Sequence, residues 1–233
     1  MAILEMKEVT YKDADTTIVH DINISINPGT ITSLTGEAGC GKSSVLKLMA
    51  GLIVPTHGKV YFEGTNINKM NREENLKFRK RCGFMFQDSA LWANQDIFHN
   101  LELPLLTHFP KMTSEQRKNK INEIVKLVGY DKPLTNRPSA LSIGEQRRIS
   151  FARATICNPD VLFLDEPDTS LPKDALENLI NLLQDYISQK KTIVFVSQDN
   201  YFISSFFCDK IYMDKGCIIK KEVLSEMLIL DLK

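Results

Sequence analysis

The stretch TGEAGCGKSS, at residues 35–44, decides the fold of this 233-residue chain. Gly36, Gly41, Lys42 and Ser43 fill every fixed position of the pattern G-x-x-x-x-G-K-[ST]. An apolar run, ITSLTG, leads into the loop, and a helical pattern, SSVLKLMAGLI, follows it. This strand–loop–helix order favours a phosphate-binding loop over an ordinary glycine turn.

The residue types in this loop suit a nucleoside triphosphate and its magnesium ion. Glycines permit tight turns that aim backbone N–H groups at phosphate oxygens, and the following helix adds the positive end of its dipole. The pattern predicts that Lys42 lies between the β- and γ-phosphates and that the Ser43 hydroxyl contacts Mg²⁺. The predicted nucleotide contacts in the loop are Gly36, Glu37, Ala38, Gly39, Cys40, Gly41, Lys42, Ser43 and Ser44.

A second motif, VLFLDEP at residues 161–167, supplies the carboxylates that such a site needs. Its four apolar residues predict a buried strand. We expect Asp165, at the end of that strand, to join the Mg²⁺ shell, and Glu166 to face the γ-phosphate and polarise a water molecule. A plain surface turn is the alternative. We favour the metal site because nucleotides bind at the carboxyl ends of neighbouring strands in α/β folds.

The rest of the chain alternates between strand and helix patterns, which predicts an α/β fold with a parallel sheet. Strands are predicted at ILEMKEV, TTIVHDINISI, ITSLTG, PTHGKVYFEG, CGFMFQD, VLFLDEP and TIVFVSQD. Helices are predicted at SSVLKLMAGLI, at REENLKFRKR (a solvated, charged face), at LSIGEQRRISFARATI, at about 173–189 and in the tail VLSEMLILDLK.

Residues 88–140 differ in character from the flanking regions and hold the only tryptophan, Trp92. One clear helix opens with TSEQ, in which Thr113 and Gln116 predict a capping box. The predicted apolar face of this helix consists of Ile121, Ile124, Leu127 and Val128. We interpret the region as an inserted helical subdomain.

Composition narrows the class of protein. The 29 Lys and Arg residues balance the 29 Asp and Glu residues, which argues against a general nucleic-acid binder. The N-terminus shows no secretory signal, and no stretch reaches the roughly 20 apolar residues of a membrane span. Five scattered cysteines without a C-x-x-C pair favour reduced thiols in the cytoplasm.

The segment LSIGEQRR, at residues 141–148, makes the chain resemble the ATP-binding cassette (ABC) ATPases. The likeness follows the family's order: Tyr11, the phosphate loop, Gln87, an LSGGQ-like signature, VLFLDEP, a D-loop and a switch residue. It implies an ABC-type P-loop NTPase fold: a RecA-like parallel-sheet core, an N-terminal antiparallel β subdomain and an inserted helical subdomain. The chain would be one ABC ATPase domain, residues 1–233, with the helical and signature subdomain at about 88–157.

The resemblance also implies a role for each matching residue. Tyr11 would stack on adenine, Gln87 would reach Mg²⁺ and the attacking water, and Glu166 would be the catalytic base. The signature residues that would contact ATP bound by a second copy are Ser142, Gly144 and Glu145. Two copies would therefore form a head-to-tail homodimer that encloses two ATP molecules.

Four positions depart from the family pattern. Ile143 and Glu145 replace a glycine and a glutamine of the signature, and Glu145 adds a negative charge that we expect to weaken dimer closure. Pro172 stands where the D-loop has an aspartate. Gln198 replaces the switch histidine; its amide donates a hydrogen bond but carries no proton charge. We therefore expect Gln198 to act in catalysis with slower turnover.

The first functional hypothesis is an ATPase subunit that powers a separate integral-membrane permease and lies on the cytoplasmic face of the membrane. A permease helix would enter a groove near Gln87, next to the apolar residues Leu91, Trp92, Ile97, Phe98 and Leu101, although these residues could equally form the subdomain core. The run FMFQDSALWANQDIFHNLELPL resembles ATPases of Mla/Mce-type lipid transporters, which favours a lipid cargo.

Two other hypotheses remain open. A non-transport regulator of a membrane complex, of the cell-division or lipoprotein-release type, would have weak ATPase activity. A soluble ABC protein acting on ribosomes or DNA ranks last, because such proteins join two cassettes or insert a long coiled coil, and this chain has neither.

Overall fold

The structure is a computed structural model that describes residues 1–224; most of the predicted C-terminal helix, from residue 225 onward, lies outside the described residues. The strands are β1 Leu4–Asp13, β2 Thr16–Ile26, β3 Ile31–Gly36, β4 His57–Phe62, β5 Thr65–Asn66, β6 Cys82–Met85, β7 Val161–Asp165, β8 Thr192–Val196, β9 Asp209–Asp214 and β10 Cys217–Glu222. The helices are α1 Lys42–Met49, α2 Arg72–Arg81, α3 Ile97–His108, α4 Ser114–Leu127, α5 Ile143–Thr155, α6 Lys173–Ser188 and α7 Asn200–Ser204.

The larger sheet has the strand order β10-β9-β3-β8-β7-β6. All neighbouring pairs are parallel except β9 and β10, which form an antiparallel hairpin at one edge. The predicted parallel sheet is therefore confirmed, and the edge hairpin adds a pairing that the sequence analysis did not predict. Strand β3 lies inside the sheet, so the phosphate loop, which follows the end of this strand, starts near the middle of the sheet.

Each central strand is buried on both faces, which explains its unbroken apolar sequence. In β7, Phe163 packs into a core shared with α1 and the smaller sheet, whereas Leu164 packs into a second core shared with α3–α7. In β8, Val194 and Phe195 divide in the same way. The two cores, one on each face of the larger sheet, thus hold the carboxyl ends of these strands in fixed positions.

The smaller sheet is antiparallel, with the order β2-β1-β4-β5, and confirms the predicted N-terminal antiparallel strands. Ile22, Ile24 and Ile26 of β2 point into the core while the alternating polar residues face solvent. This period-2 pattern is what a half-buried strand requires.

Helices α1 and α4 begin close to where the sequence predicted them, but α1 ends early and α4 shows a narrower apolar face. Thr113 and Gln116 form the predicted capping box of α4. Helix α1 ends at Met49, so Leu52 lies beyond it and is exposed. Leu127 is also exposed, and the prediction that it belongs to the buried face of α4 was wrong. No helix within residues 1–224 combines the length and apolar character that a membrane crossing needs.

Helix α2 is more than the solvated face that its charges predicted. Phe78 is buried and packs edge-on against Phe62, with ring centroids 5.0 Å apart. The Arg81 guanidinium binds the carboxylates of both Glu63 and Asp160 at 2.6 Å. Arg81 therefore attaches this helix to the residue that follows β4 and to the residue that precedes β7.

Candidate nucleotide site

The phosphate loop connects the end of β3 to the start of α1, and two of its glycines have no space for a side chain. A Cβ at Gly36, where φ is +149°, would lie 2.2 Å from the carbonyl oxygen of Met213. A Cβ at Gly41, where φ is +96°, would lie 2.8 Å from the carbonyl oxygen of Ile18. The neighbouring strands thus force glycine at both ends of the loop.

Lys42 lies inside the loop with only 5% of its surface exposed. Its ammonium donates hydrogen bonds to the carbonyl oxygens of Gly36 at 2.8 Å and Glu37 at 2.6 Å, and lies 3.7 Å from the sulfur of Cys40. These carbonyl partners carry no net charge and do not neutralise the ammonium. It can therefore bind an anionic phosphate oxygen at the mouth of the loop.

Ser43 and Asp165 meet beside the loop. The Ser43 hydroxyl donates to a carboxylate oxygen of Asp165 at 2.7 Å, and burial raises the pKa of the Asp165 carboxyl despite that bond. Strand β8 lies between β3 and β7, so Asp165 comes from the second strand over and not from an adjacent one. A hydroxyl and a carboxylate are hard oxygen ligands, a donor set that fits Mg²⁺ bound together with phosphate oxygens. An open cleft next to them is lined by Lys47, Phe86, Gln87, Asp88 and Asp165.

The three predicted catalytic residues lie together. The amide of Gln87 donates to Oε2 of Glu166 at 2.8 Å, and the amide of Gln198 donates to Oε1 at 3.2 Å. Glu166 itself has φ of +47°, a left-handed conformation that is uncommon for this residue type and is typical of functional positions. Residues that follow three strands thus meet at one place, where two amides point at the carboxylate of the third residue.

Arg147 is a contributor that the sequence analysis missed. It is buried, and its guanidinium donates to the carbonyl oxygens of Glu166 at 3.3 Å and Phe86 at 3.5 Å. It therefore links the helix that follows the signature to the segments that carry the catalytic base and Gln87. The only signal in the sequence was its place within LSIGEQRR.

A second missed contact positions the loop that carries Gln198. The Ser197 hydroxyl donates to Asp168 Oδ2 at 2.9 Å and accepts from the backbone N–H of Asp199 at 3.0 Å. Burial raises the pKa of the Asp168 carboxyl. This bond connects the segment after β7 to the segment after β8, which sets the separation between Glu166 and Gln198.

The signature residues form a separate cluster at the start of α5. The Ser142 hydroxyl and backbone N–H both donate to Oε2 of Glu145, which closes a capping box. Gly144 faces Pro172, whose Cδ would be 3.7 Å from a Cβ at the glycine. Ile143 is 62% exposed. Within the described residues, no hydrogen bond joins Ser142 or Glu145 to the phosphate loop of the same chain.

Tyr11 lies one strand away from the phosphate loop. It is half-buried on β1 and pairs with Val19 of β2, next to Ile18, whose carbonyl oxygen approaches Gly41. The ring therefore comes from the sheet that borders the loop, on the side of Gly41.

The apolar residues predicted to receive a permease helix divide into two groups. Ile97 and Leu101 are fully buried, and Leu91 and Phe98 pack partly against the same core. Trp92 is the most exposed of the five, with 48% of its surface open to a partner. For Ile97 and Leu101 the alternative reading as subdomain core is correct.

The span of residues 19–169 matches the family model described as ABC transporter. This span contains the phosphate loop, Gln87, the signature and Glu166. The chain belongs to the ABC transporter family. As an ABC cassette it has the predicted P-loop fold and is an ATP-hydrolysing enzyme of that family.

Similar proteins agree with this assignment. The methionine import ATP-binding protein MetN of Carboxydothermus hydrogenoformans is 31% identical over 98% of this chain and 68% of its own length. The ABC transporter ATP-binding protein YtrE of Bacillus subtilis is 33% identical over 79% of each chain. The dimeric post-hydrolysis state of the ATP-binding cassette MJ0796, bound to ADP and Pi, has a TM-score of 0.87 at 30% identity, over 95% of this chain and 98% of that one.

The relatives refine two expectations about this ABC cassette. It spans about two thirds of the length of the MetN proteins that it matches. None of the relatives named here is described as a lipid transporter, so the expected likeness to Mla/Mce-type ATPases gains no support from them.

Proposed function

We propose that this cassette binds and hydrolyses Mg-ATP between two copies of itself and thereby drives an integral-membrane permease. The observation that carries the proposal is the convergence of Gln87 and Gln198 on the carboxylate of Glu166, beside the Ser43–Asp165 pair. Such an arrangement places a general base and two amide donors where a γ-phosphate held by the phosphate loop would end.

Each residue of the site has a distinct chemical task in this proposal. Lys42 and the loop amides bind the β- and γ-phosphates. Ser43 and Asp165 would hold Mg²⁺, which would supply positive charge beside the phosphate oxygens. Glu166 accepts a proton from the attacking water, and the amide of Gln198 orients that water.

A second copy completes the site. The signature residues Ser142 and Gly144 lie in a cluster of their own, and the similar cassette MJ0796 has a dimeric structure. We infer a two-fold, head-to-tail homodimer in which the signature of each copy contacts the γ-phosphate held by the other. ATP then joins the two copies, and hydrolysis separates them.

The partner in the membrane would dock in the surface groove, a hollow of about 490 Å³ between α2, β6, α3 and α5. Its lining combines exposed Trp92 and Leu52 with the cations Arg79, Lys80 and Arg153. An apolar helix end from a permease would fit the first pair, and the docking would hold the cassette at the cytoplasmic face of the membrane. Cargo contacts would lie in the permease, so the proposal names no cargo.

Replacement of Trp92 by alanine tests the docking. We expect about 30-fold or greater loss of affinity for the membrane, because a half-exposed tryptophan that becomes buried against a partner is a typical hot spot. The amount of cassette bound to membranes from its source cells measures this. Tyr201→Ala, which removes an aromatic ring that is 55% exposed on α7, is the control. Equal membrane binding of both variants would contradict the docking site.

Gln198→His tests the contribution of the switch residue. We expect a severalfold higher kcat with KM changed less than about twofold, since histidine adds a charged hydrogen-bond donor that acts only during the reaction. Steady-state ATPase assays at several protein concentrations measure both values, with Gln198→Ala as the variant that lacks any donor. A histidine variant no faster than the parent would remove the reason to expect slow turnover.

Gln198 also favours one alternative, a regulator of a membrane complex with weak ATPase activity. In that case the ATP-bound dimer would persist and hydrolysis would serve only to reset it. Slow turnover together with an ATP-bound dimer that stays associated until hydrolysis, both measured on the same protein, would favour this alternative over a transport motor.

A further inference from the structure

Glu145 brings a negative charge to the signature, where the resemblance implies contact with the triphosphate of a second copy. A carboxylate at that place repels phosphate oxygens, and we therefore expected weaker dimer closure. Two like charges at contact distance are unfavourable even in a partly solvated interface. The charge must be offset if the cassette is to close on ATP.

The structure provides the offset. The ammonium of Lys132 lies 2.7 Å from Oε1 of Glu145, while Oε2 accepts the hydroxyl and the backbone N–H of Ser142. The bond from Lys132 and those from Ser142 lower the pKa of the Glu145 carboxyl to about 2. Glu145 is therefore ionised at any physiological pH, and both of its oxygens are occupied.

Lys132 is held in place by its own loop. Tyr130 is buried, and its hydroxyl lies 3.4 Å from the carbonyl oxygen of Pro133. The loop also accepts backbone hydrogen bonds from the start of α3, at Leu134 and Asn136. An anchored lysine loses less conformational entropy when it forms an ion pair than one on a free loop. Its side chain is 46% exposed and that of Glu145 only 16%, so the pair lies at the surface with the carboxylate underneath.

We propose that Lys132 is a positioning residue of the ATP-bound dimer, which neutralises Glu145 and holds the Ser142–Glu145 cap in the form that meets the phosphates of the second copy. The inference rests on the proposed head-to-tail dimer. It makes the contribution of Lys132 to dimer stability depend on Glu145. With glutamine at position 145, there is no charge for Lys132 to neutralise, and we expect no contribution.

A double-mutant cycle in a Glu166→Gln background tests the pair, because that background is expected to retain ATP. The variants are Lys132→Met, Glu145→Gln and both together, with Lys126→Met as an exposed control from α4. Sedimentation at fixed Mg-ATP gives the dimer dissociation constant of each. We expect Lys132→Met alone to weaken the dimer about tenfold, since one exposed pair contributes about two- to fivefold and each dimer has two signatures.

The outcomes separate the inference from the proposed function. When position 145 is glutamine, Lys132→Met should change the dimer dissociation constant by less than about twofold. When position 145 is glutamate, added salt should reduce the loss of dimer affinity that Lys132→Met causes. An equal loss of dimer affinity with glutamate and with glutamine at position 145, or no loss with either, would overturn the role of Lys132. If the Glu166→Gln protein without further changes remains monomeric with saturating ATP, that result would instead contradict the proposed dimer itself.

Discussion

Glu166→Gln is expected to reduce ATP turnover at least about 100-fold and to leave ATP binding intact. A general base contributes about 10²- to 10⁴-fold to such reactions, and an amide of the same shape cannot accept the proton. Gln87 and Gln198 donate to different oxygens of the carboxylate. The variant keeps one oxygen as an acceptor for one of them, and the other glutamine can turn its own amide oxygen towards the new NH2 group. The phosphate loop and Asp165 are untouched, so nucleotide affinity should change little. Phosphate release under saturating Mg-ATP, together with direct titration of nucleotide binding, measures the two effects separately.

The control for this change is Glu123→Gln, which alters an exposed glutamate of α4 in the same way. It should retain the parent turnover. If the Glu166 variant hydrolyses ATP within about threefold of the parent, the base lies elsewhere. A loss of ATP binding would instead show that the carboxylate supports the phosphate site.

Lys42→Met is expected to weaken Mg-ATP binding by about 100-fold or more. The variant keeps most of the chain length but removes the buried charge. A charge-assisted hydrogen bond to phosphate contributes about 1.5–3 kcal/mol. Two N–H groups of this ammonium already bond to carbonyl oxygens, so one remains for phosphate, and the attraction of its charge to the triphosphate adds to that bond. Because ATP bound at 100 times its Kd stabilises a protein by about 2.7 kcal/mol, the parent should show a clear ATP-dependent rise in Tm that the variant lacks.

Lys42 also donates to the carbonyl oxygens of Gly36 and Glu37, so its loss could loosen the loop itself. The Tm without nucleotide reports on that effect, and Lys69→Met, at an exposed lysine, gives the baseline for removing a charge. ATP affinity within about threefold of the parent, in a variant with normal Tm, would contradict the assigned role of the ammonium.

Much of the site was predictable because local sequence determines local geometry. The glycines of residues 35–44 mark a loop that neighbouring strands crowd, and the apolar residues of VLFLDEP mark a strand buried on both faces. Glu166 follows β7 directly and Gln87 lies two residues beyond the end of β6, so the parallel sheet brings them to one edge. TSEQ likewise contains a complete helix start within four residues, and its capping box is confirmed.

The errors arise where a pattern continues beyond the element that it describes. Leu52 keeps the helical spacing of α1, but the helix ends at Met49 before the chain turns. The β9–β10 hairpin was not predicted, although Lys215 and Gly216 form its turn with positive φ at both positions, as such two-residue turns require.

The supporting contacts could not be predicted from motifs, because each joins residues far apart in the chain. Arg147 reaches carbonyl groups on two strand ends, and Ser197 bonds to Asp168, 29 residues earlier. Lys132 meets Glu145 only because its loop is attached to α3. These contacts depend on tertiary packing, which residue types and spacing do not reveal.

The central claim is that two cassettes close on ATP and complete one another's sites. The most direct measurement is the solution mass of Glu166→Gln with saturating Mg-ATP, by sedimentation or light scattering. The proposal predicts twice the 26.5 kDa of a single chain with ATP and the single-chain mass with ADP. If the protein keeps the mass of one chain with ATP as well as with ADP, and also remains monomeric when the membrane partner is present, the proposal is contradicted.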